Sequence, residues 1–592
     1  MSKLSRREFI YMMAVLGASP IFANSHTRMT STNKLSDYYK LKPFGNARFL
    51  HMTDSHAQLT PIYFREPSVN LGFHSNYAKP PHIVGEKFLE YYGIKNDKRL
   101  EYAYTCIDFE KHARAIGKTG GYAQIKTVVD YLRNSFGEEK TLLLDGGDTW
   151  QGSATALWTR GKDMVGAMNL LGVDVAVGHW EFTYKAQEVL ENVKLLKAEF
   201  LAQNVKVKED ALFNETDIAK QAYDMDEGYA FKPYTIKKMG NARVAIIGQA
   251  FPYTTIANPQ RFIPDWSFSI NDENMQEVVN DIKENEKPDA IIVLSHNGFD
   301  TDKKMANVVT GVDFIMGGHT HDGVPEAVPV KNAEGVTYVC NAGSNGKFLN
   351  VLDLDIQNGK IKDFKFTLLP IFSDLVPEDK QMKEYIQSVR KPYLKDLNRQ
   401  IATTDVTLFR RGNFNGSWDQ IICDSLLEIK DAEISLSPGF RWGTSVMPGQ
   451  VITFDDLMTQ TAMTYPETYV RNMKGSEIKL ILEDVADNLF NVDPFYQQGG
   501  DMVRTGGISY KINPIEKIGN RISSITLTRT GEKIEPNKLY KVAGWSTVGA
   551  KSEGEPIWET VEKYLANIKH IKSLNVDAPD IVGIKNNPGI II

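Results

Sequence analysis

Cysteine is nearly absent: 592 residues contain three, Cys106, Cys340 and Cys423, scattered and without C-x-x-C spacing. An odd count excludes a fully paired disulfide framework, and a thiolate metal site needs closer grouping. The three therefore read as small buried hydrophobes, with one optional disulfide. Basic excess is absent too. A net charge of −6 lacks the basic face of a nucleic-acid binder, and no run of like charges offers a polybasic membrane anchor. Long apolar runs are missing: after Arg6 and Arg7 one extends to Phe22, but its roughly 14 residues fall short of the 20 or so that span a bilayer. Beyond it none is long enough for a transmembrane helix, and there is neither a fixed-period repeat nor a low-complexity tract.

What is present is ordinary globular material, 42% hydrophobic and 24% charged, enough for two to four domains with sizeable cores. The segment SRREFIYMM (Ser5 to Met13) carries twin arginines before the short apolar stretch, the pattern of a Tat export signal over residues 1–23, so the expected location is the periplasm. Short apolar strands then recur, among them Ala47 to Met52, Thr141 to Leu144, Val173 to Val177, Arg243 to Ile247, Ala290 to Leu294 and Asp313 to Met316. Continuous apolar strands alternating with helical patterns such as Ala123 to Phe136 indicate buried strands in an α/β layer fold. A first domain is expected over 44–370, with a long aromatic-rich insertion at about 60–118. A charged linker helix follows over 377–399, interrupted by Pro392, and a second α/β domain over 401–592.

Five segments place a possible metal ligand directly after an apolar strand: TDSH (Thr53 to His56), GGD (Gly146 to Asp148), GHWE (Gly178 to Glu181), SHNG (Ser295 to Gly298) and GGHTH (Gly317 to His321). The carboxyl ends of strands in open α/β sheets share one edge, where ligands bind. Of eleven histidines, five (His56, His179, His296, His319 and His321) fall in these turns, interleaved with Asp54 and Asp148. A lone strand-end histidine is most often a hydrogen-bonded structural residue; all five in order point to metal. Imidazoles and carboxylates around two ions are the usual equipment for hydrolysis, one ion orienting the substrate and both acidifying a bridging water.

The order Asp-x-His, Gly-Asp, Gly-x-x-Glu, His, Gly-His-x-His resembles the calcineurin-like phosphoesterases, and the resemblance continues through a 5′-nucleotidase-like C-terminal domain. It implies a four-layer α/β/β/α metallophosphoesterase sandwich followed by a C-terminal α/β domain. By that resemblance one metal takes Asp54, His56, Asp148 and His321, and the other takes bridging Asp148 with His179, His296 and His319. Glu181 orients ligands without binding metal. The sequence departs from the phosphatase pattern Gly-Asn-His-Glu: His179 stands for an asparagine ligand, and Trp180 for the histidine that assists ester cleavage. GHWEFTY, MTDSHAQL, DGGDTWQGS and GGHTHD are similar to the Sox thiosulfohydrolase family. That likeness implies a periplasmic dimanganese enzyme releasing sulfate from a cysteine S-thiosulfonate on the Sox carrier protein (SoxYZ). Ligand chemistry alone suits zinc or iron at least as well as manganese.

An ester expels a poor leaving group that benefits from a nearby acid, whereas a persulfide anion needs little protonation, so Trp180 fits the sulfur reaction as an apolar wall. The alternative is that Trp180 merely packs beneath the site. Among arginines, Arg441 is the first candidate to hold the sulfonate, with Arg410 and Arg411 behind it; the alternative for each is an ion pair. The catalytic set expected is thus Asp148, Trp180 and Arg441. In QQGGDMVRTGG, where nucleotidases supply a base-stacking aromatic, the core Asp501 to Arg504 has none, although Phe495 and Tyr496 are close by. Two other functions remain open: a periplasmic 5′-nucleotidase or related phosphoesterase, and a metal-bound assembly protein without turnover.

Overall fold

The computed structural model describes residues 35–549 and 551–591; the twin-arginine segment lies outside them. Two six-stranded sheets face each other. The first runs Lys360–Pro370, Phe348–Gln357, Ala47–Met52, Thr141–Asp145, Val175–Ala176, Glu199–Phe200. The second runs Val328–Lys331, Val336–Asn341, Phe314–Gly317, Ala290–Ser295, Ala242–Gln249, Tyr234–Met239. In the middle of each sheet the strands are parallel.

Side-chain alternation along one strand shows how the layers form. Ala47 and Phe49 point into the core between the sheets, with Leu144, Val244, Ile292 and Phe314. Leu50 and Met52 point the other way, into a core shared with helices Tyr122–Phe136, Lys162–Leu171 and Ala186–Leu195. Tyr122, Ile125, Val129 and Leu132 line one face of the first of these helices. The outer face of the second sheet packs through Ile291 and Val293 on Met275 and Met305 of helices Asp272–Asp281 and Phe299–Val308. Strands covered on both faces are mostly apolar, and Ala47–Met52 and Ala290–Ser295 are buried at every position; the two polar exceptions in the first, Arg48 and His51, are paired with Asp353 and Asn350. The result is the four-layer α/β/β/α sandwich the sequence leads one to expect.

The insertion carries three helices of seven or eight residues, Gly85–Tyr92, Lys98–Tyr104 and Phe109–Ile116. Two turns are too short for a hydrophobic period to stand out, hence its weakly periodic look. Helix Lys380–Arg390 follows the sandwich and buries Met382 and Ile386 against its outer helices, so it belongs to that layer as well as connecting the domains. The C-terminal domain has a four-stranded sheet, Thr468–Lys474, Leu539–Trp545, Ile434–Ser437 and Arg504–Gly506. Its two faces pack on helices Gly475–Phe490 and Ser417–Ile429 respectively. All three cysteines are free and buried. Among the described residues, no helix is long and apolar enough to cross a membrane.

Candidate metal centre

Each of the five turns leaves the carboxyl end of a strand, three from the first sheet and two from the second, so facing sheets deliver them to one place. The turns are tight. Asp54 (φ 51°), His56 (45°), Asp148 (59°), His319 (73°) and His321 (60°) all occupy the left-handed region. Each such residue costs on the order of 1 kcal/mol or more, strain characteristic of functional sites. Gly318 has no alternative: a Cβ there would lie 2.2 Å from Thr53 Oγ1. That contact lets the His319 amide donate to Asp54 Oδ2 at 2.9 Å and ties the two sheets together.

The side chains gather into two overlapping groups of potential ligands: Asp54, His56, Asp148 and His321, and Asp148, His179, His296 and His319. Asp148 belongs to both. Its Oδ2 lies 3.1 Å from His296 Nε2, 3.3 Å from His179 Nδ1 and 3.7 Å from His56 Nε2. In the other group, His321 Nε2 lies 3.0 Å from His56 Nε2 and 3.2 Å from Asp54 Oδ1. Ligands about 2.1 Å from a common ion stand about 3.0–3.4 Å from one another, so all of these separations but the 3.7 Å one match divalent cations directly. Orphaned atoms agree: His319 Nδ1 and Nε2 are buried without a hydrogen-bond partner. Burial holds His319 and His321 well below the usual histidine range, so their lone pairs are free to bind a cation. Burial would raise the Asp148 carboxyl, but His179 and His296 together drive it well below the usual range, keeping it ionised. The residues fit a two-ion centre.

The supporting contacts set ligand orientation. His296 donates from Nδ1 to the Gly146 carbonyl at 2.5 Å, which turns Nε2 toward Asp148. Glu181 accepts the backbone amides of His179, Asp148, Thr149 and Trp150 at 2.6–3.2 Å, binding two of the ligand turns to one carboxylate. The Trp180 amide donates to Asp148 Oδ1 at 2.8 Å.

The Trp180 ring is buried beside His179, with centroids 5.0 Å apart, and meets Phe440 and Trp442 edge-on. Phe440 and Trp442 stack on each other at 4.0 Å, and Phe251 stacks on His319 at 4.2 Å. This makes an aromatic wall around the ions' place. A cleft opens beside it, with His319, Arg411 and Arg441 among its lining. Arg441 donates from Nη2 to Gly500 O at 2.7 Å, with Asp501 at 3.4 Å; Arg411 donates to Thr320 O at 2.7 Å and leaves Nε without a partner. Arg410 lies outside the lining. It is buried against Asp419 at 2.9 Å and the Gln460 carbonyl at 2.7 Å, so its place is the domain core and not the substrate. Phe495 lies under Lys304 at 4.0 Å.

Sequence reasoning passed over several groups here. Phe251 follows a strand whose turn carries no ligand, and strand order was its only signal. His82, from the insertion, lines the cleft with Asp300, and no motif marks it.

Residues 400–560 match the family described as the 5′-nucleotidase C-terminal domain. The bovine 5′-nucleotidase is 25% identical over 496 residues, 76% of this chain and 80% of that protein. The trifunctional nucleotide phosphoesterase YfkN of Bacillus subtilis is 26% identical over 460 residues, 70% of this chain but only 30% of that longer protein. Among solved structures, a Thermus thermophilus sulfate thiohydrolase, SoxB, in complex with glycerol superposes with a TM-score of 0.83 at 31% identity, covering 92% of this chain and 98% of that one.

Proposed function

This chain belongs to the 5′-nucleotidase and metallophosphoesterase superfamily of metal-dependent hydrolases, and within it we propose a thiosulfohydrolase that releases sulfate from a cysteine S-thiosulfonate on a Sox carrier protein. The observation that carries the reading is Trp180: an indole stands beside the two ligand groups where an ester-cleaving relative has a proton-donating histidine. The likeness to the Thermus sulfate thiohydrolase over nearly both whole chains supports it. Exported by the Tat route through Arg6 and Arg7, the protein would act in the periplasm with two manganese ions.

Asp54, His56, His321, His179, His296, His319 and the shared Asp148 would hold the ions, which when bound supply an acidified water and positive charge for the substrate's oxygens. Arg441 and Arg411 face the cleft as cations suited to a sulfonate. Glu181 keeps the ligand turns aligned, and the wall of Trp180, Trp442 and Phe440 excludes water. The stretch Asp501 to Arg504, where nucleotidases supply a base-stacking aromatic, has none. The 5′-nucleotidase reading stands second, favoured by the matched C-terminal family and the bovine relative. Sulfate release from thiosulfonated carrier, set beside phosphate release from a nucleoside monophosphate, separates the two. Nucleotide cleavage at ordinary enzyme rates with an inert carrier would overturn the proposal.

A further inference from the structure

The stretch Asp493 to Asp501 follows helix Gly475–Phe490 of the C-terminal domain and crosses to the sandwich. Three contacts pin its first part there. Lys304 Nζ donates to Asp493 Oδ1 at 2.5 Å, Thr301 Oγ1 donates to the Pro494 carbonyl at 3.0 Å, and the Tyr253 hydroxyl donates to the Phe495 carbonyl. Thr301 and Lys304 lie on helix Phe299–Val308, which starts three residues after His296. Tyr253 lies two residues after Phe251, whose ring stacks on His319. The far end of this strap is held in its own domain: the Asp501 amide donates to Gly439 O at 2.9 Å, and Arg441 Nη2 donates to Gly500 O at 2.7 Å. The strap is thus tied down on both sides of Gly499.

Gly499 meets His319 head-on. A Cβ built on it would lie 1.8 Å from His319 Nε2, and 2.7 and 2.9 Å from the two ring carbons beside that nitrogen. Near-equal distances to both carbons put the Cβ position on the outward axis of Nε2, where an ion bound at about 2.1 Å would stand. The backbone of Gly499 therefore closes Nε2. Nδ1, also buried without a hydrogen-bond partner, is the nitrogen left for the group that includes Asp148, His179 and His296. Phe251 covers one face of the same ring at 4.2 Å. Gly499 has φ 75° and Gly500 φ 78°, so the strap turns through two left-handed residues where it touches the ligand.

We propose that Gly499 is a positioning residue for one of the two ions. The strap sets its backbone against His319 Nε2, fixes the ring with Nδ1 toward the centre, and so tunes from the C-terminal domain the affinity for the ion held with Asp148, His179 and His296. A side chain at 499 would turn the imidazole off that direction. Loss of an outer contact that orients a ligating histidine costs about 10- to 100-fold in metal affinity. The inference rests on the two-ion reading of the site and not on which substrate is cleaved.

The test uses the full protein, stripped of metal and titrated with manganese(II) alone, the free ion being followed by its electron paramagnetic resonance signal. The wild-type chain should take up two equivalents. In Gly499→Ala one equivalent should bind as in wild type and the other about 10- to 100-fold more weakly. Gly500→Ala is the control. It imposes the same left-handed strain, but its Cβ would meet only Gly439 O, at 3.7 Å, so both affinities should stay near wild type. Unchanged binding by Gly499→Ala would make the contact incidental, and an equal loss in both glycine variants would make the effect one of turn strain; either overturns the proposal. If Gly499→Ala does not fold, Lys304→Met decides. That change releases Asp493, leaves the glycines untouched and should weaken the same equivalent by a smaller factor; unchanged affinity there would overturn the proposal. Wild-type uptake of fewer than two equivalents would overturn the two-ion reading together with the inference. The expected titration in an enzyme that cleaves nucleotides and leaves the thiosulfonated carrier intact would support the inference and overturn only the thiosulfohydrolase reading.

Discussion

The Trp180 backbone amide donates to Asp148 Oδ1 at 2.8 Å and so commits one oxygen of that carboxylate, leaving Oδ2 for His179, His296 and His56. One residue thereby both walls the site and orients its bridge. Asp148→Ala should lose more metal than a change at a ligand unique to one group, such as His56 or His179, and should fall below one equivalent by elemental analysis. Two equivalents in the variant would remove Asp148 from the bridge.

The indole itself is open to test by Trp180→His. If sulfate release from the carrier needs little proton donation from that side, the change should not improve it. Hydrolysis of a small aryl phosphate should instead rise, by about 10²-fold where the new imidazole meets the leaving oxygen. Both assays require equal metal occupancy, because the new ring adjoins His179. Faster sulfate release would refute the leaving-group argument.

The arginines should separate cleanly. Arg441→Ala is expected to lower kcat/KM by about 10²-fold, roughly 3 kcal/mol, with little change in melting temperature. Arg410→Ala removes a charged hydrogen bond from Asp419, both side chains being 0% exposed, and leaves Arg504 Nε at 3.3 Å as its cation, so it should cost about 1.5–3 kcal/mol of stability. Thermal denaturation and kinetics on the two variants check the division; the reverse pattern would exchange their roles.

Metal removal should destabilise the fold. The centre buries two carboxylates among imidazoles and holds five strained backbone positions, so ions that bind only the folded state stabilise it. At 100 times Kd the contribution is about 2.7 kcal/mol per site. A chelator should lower the melting temperature and added manganese restore it. An unchanged melting curve after verified metal loss would contradict this.

Export is tested by replacing Arg6 and Arg7 with lysine, which keeps the charge but removes the paired arginines that Tat receptors read. Precursor should remain in the cytoplasm on fractionation. Normal periplasmic delivery would assign another route.

Much of the centre was legible in the chain because metal ligands sit in short motifs. An apolar strand and a ligand-type aspartate or histidine lie within a few residues, so TDSH, GGD, GHWE, SHNG and GGHTH each announce themselves. The layered α/β fold was legible because strands buried on both faces are mostly apolar and alternate with helical patterns. What only the tertiary structure decided is which distant groups share the cleft. Arg410 and Arg411 are neighbours in sequence, yet one is sealed against Asp419 and the other faces the ions' place, a difference set by the packing of the C-terminal domain. His82 and Asp300 are 218 positions apart and meet at 2.8 Å because the insertion folds back over the helix after His296. Local motifs record covalent neighbours; a histidine and its distant carboxylate are brought together by long-range packing, and no spacing in the chain encodes that.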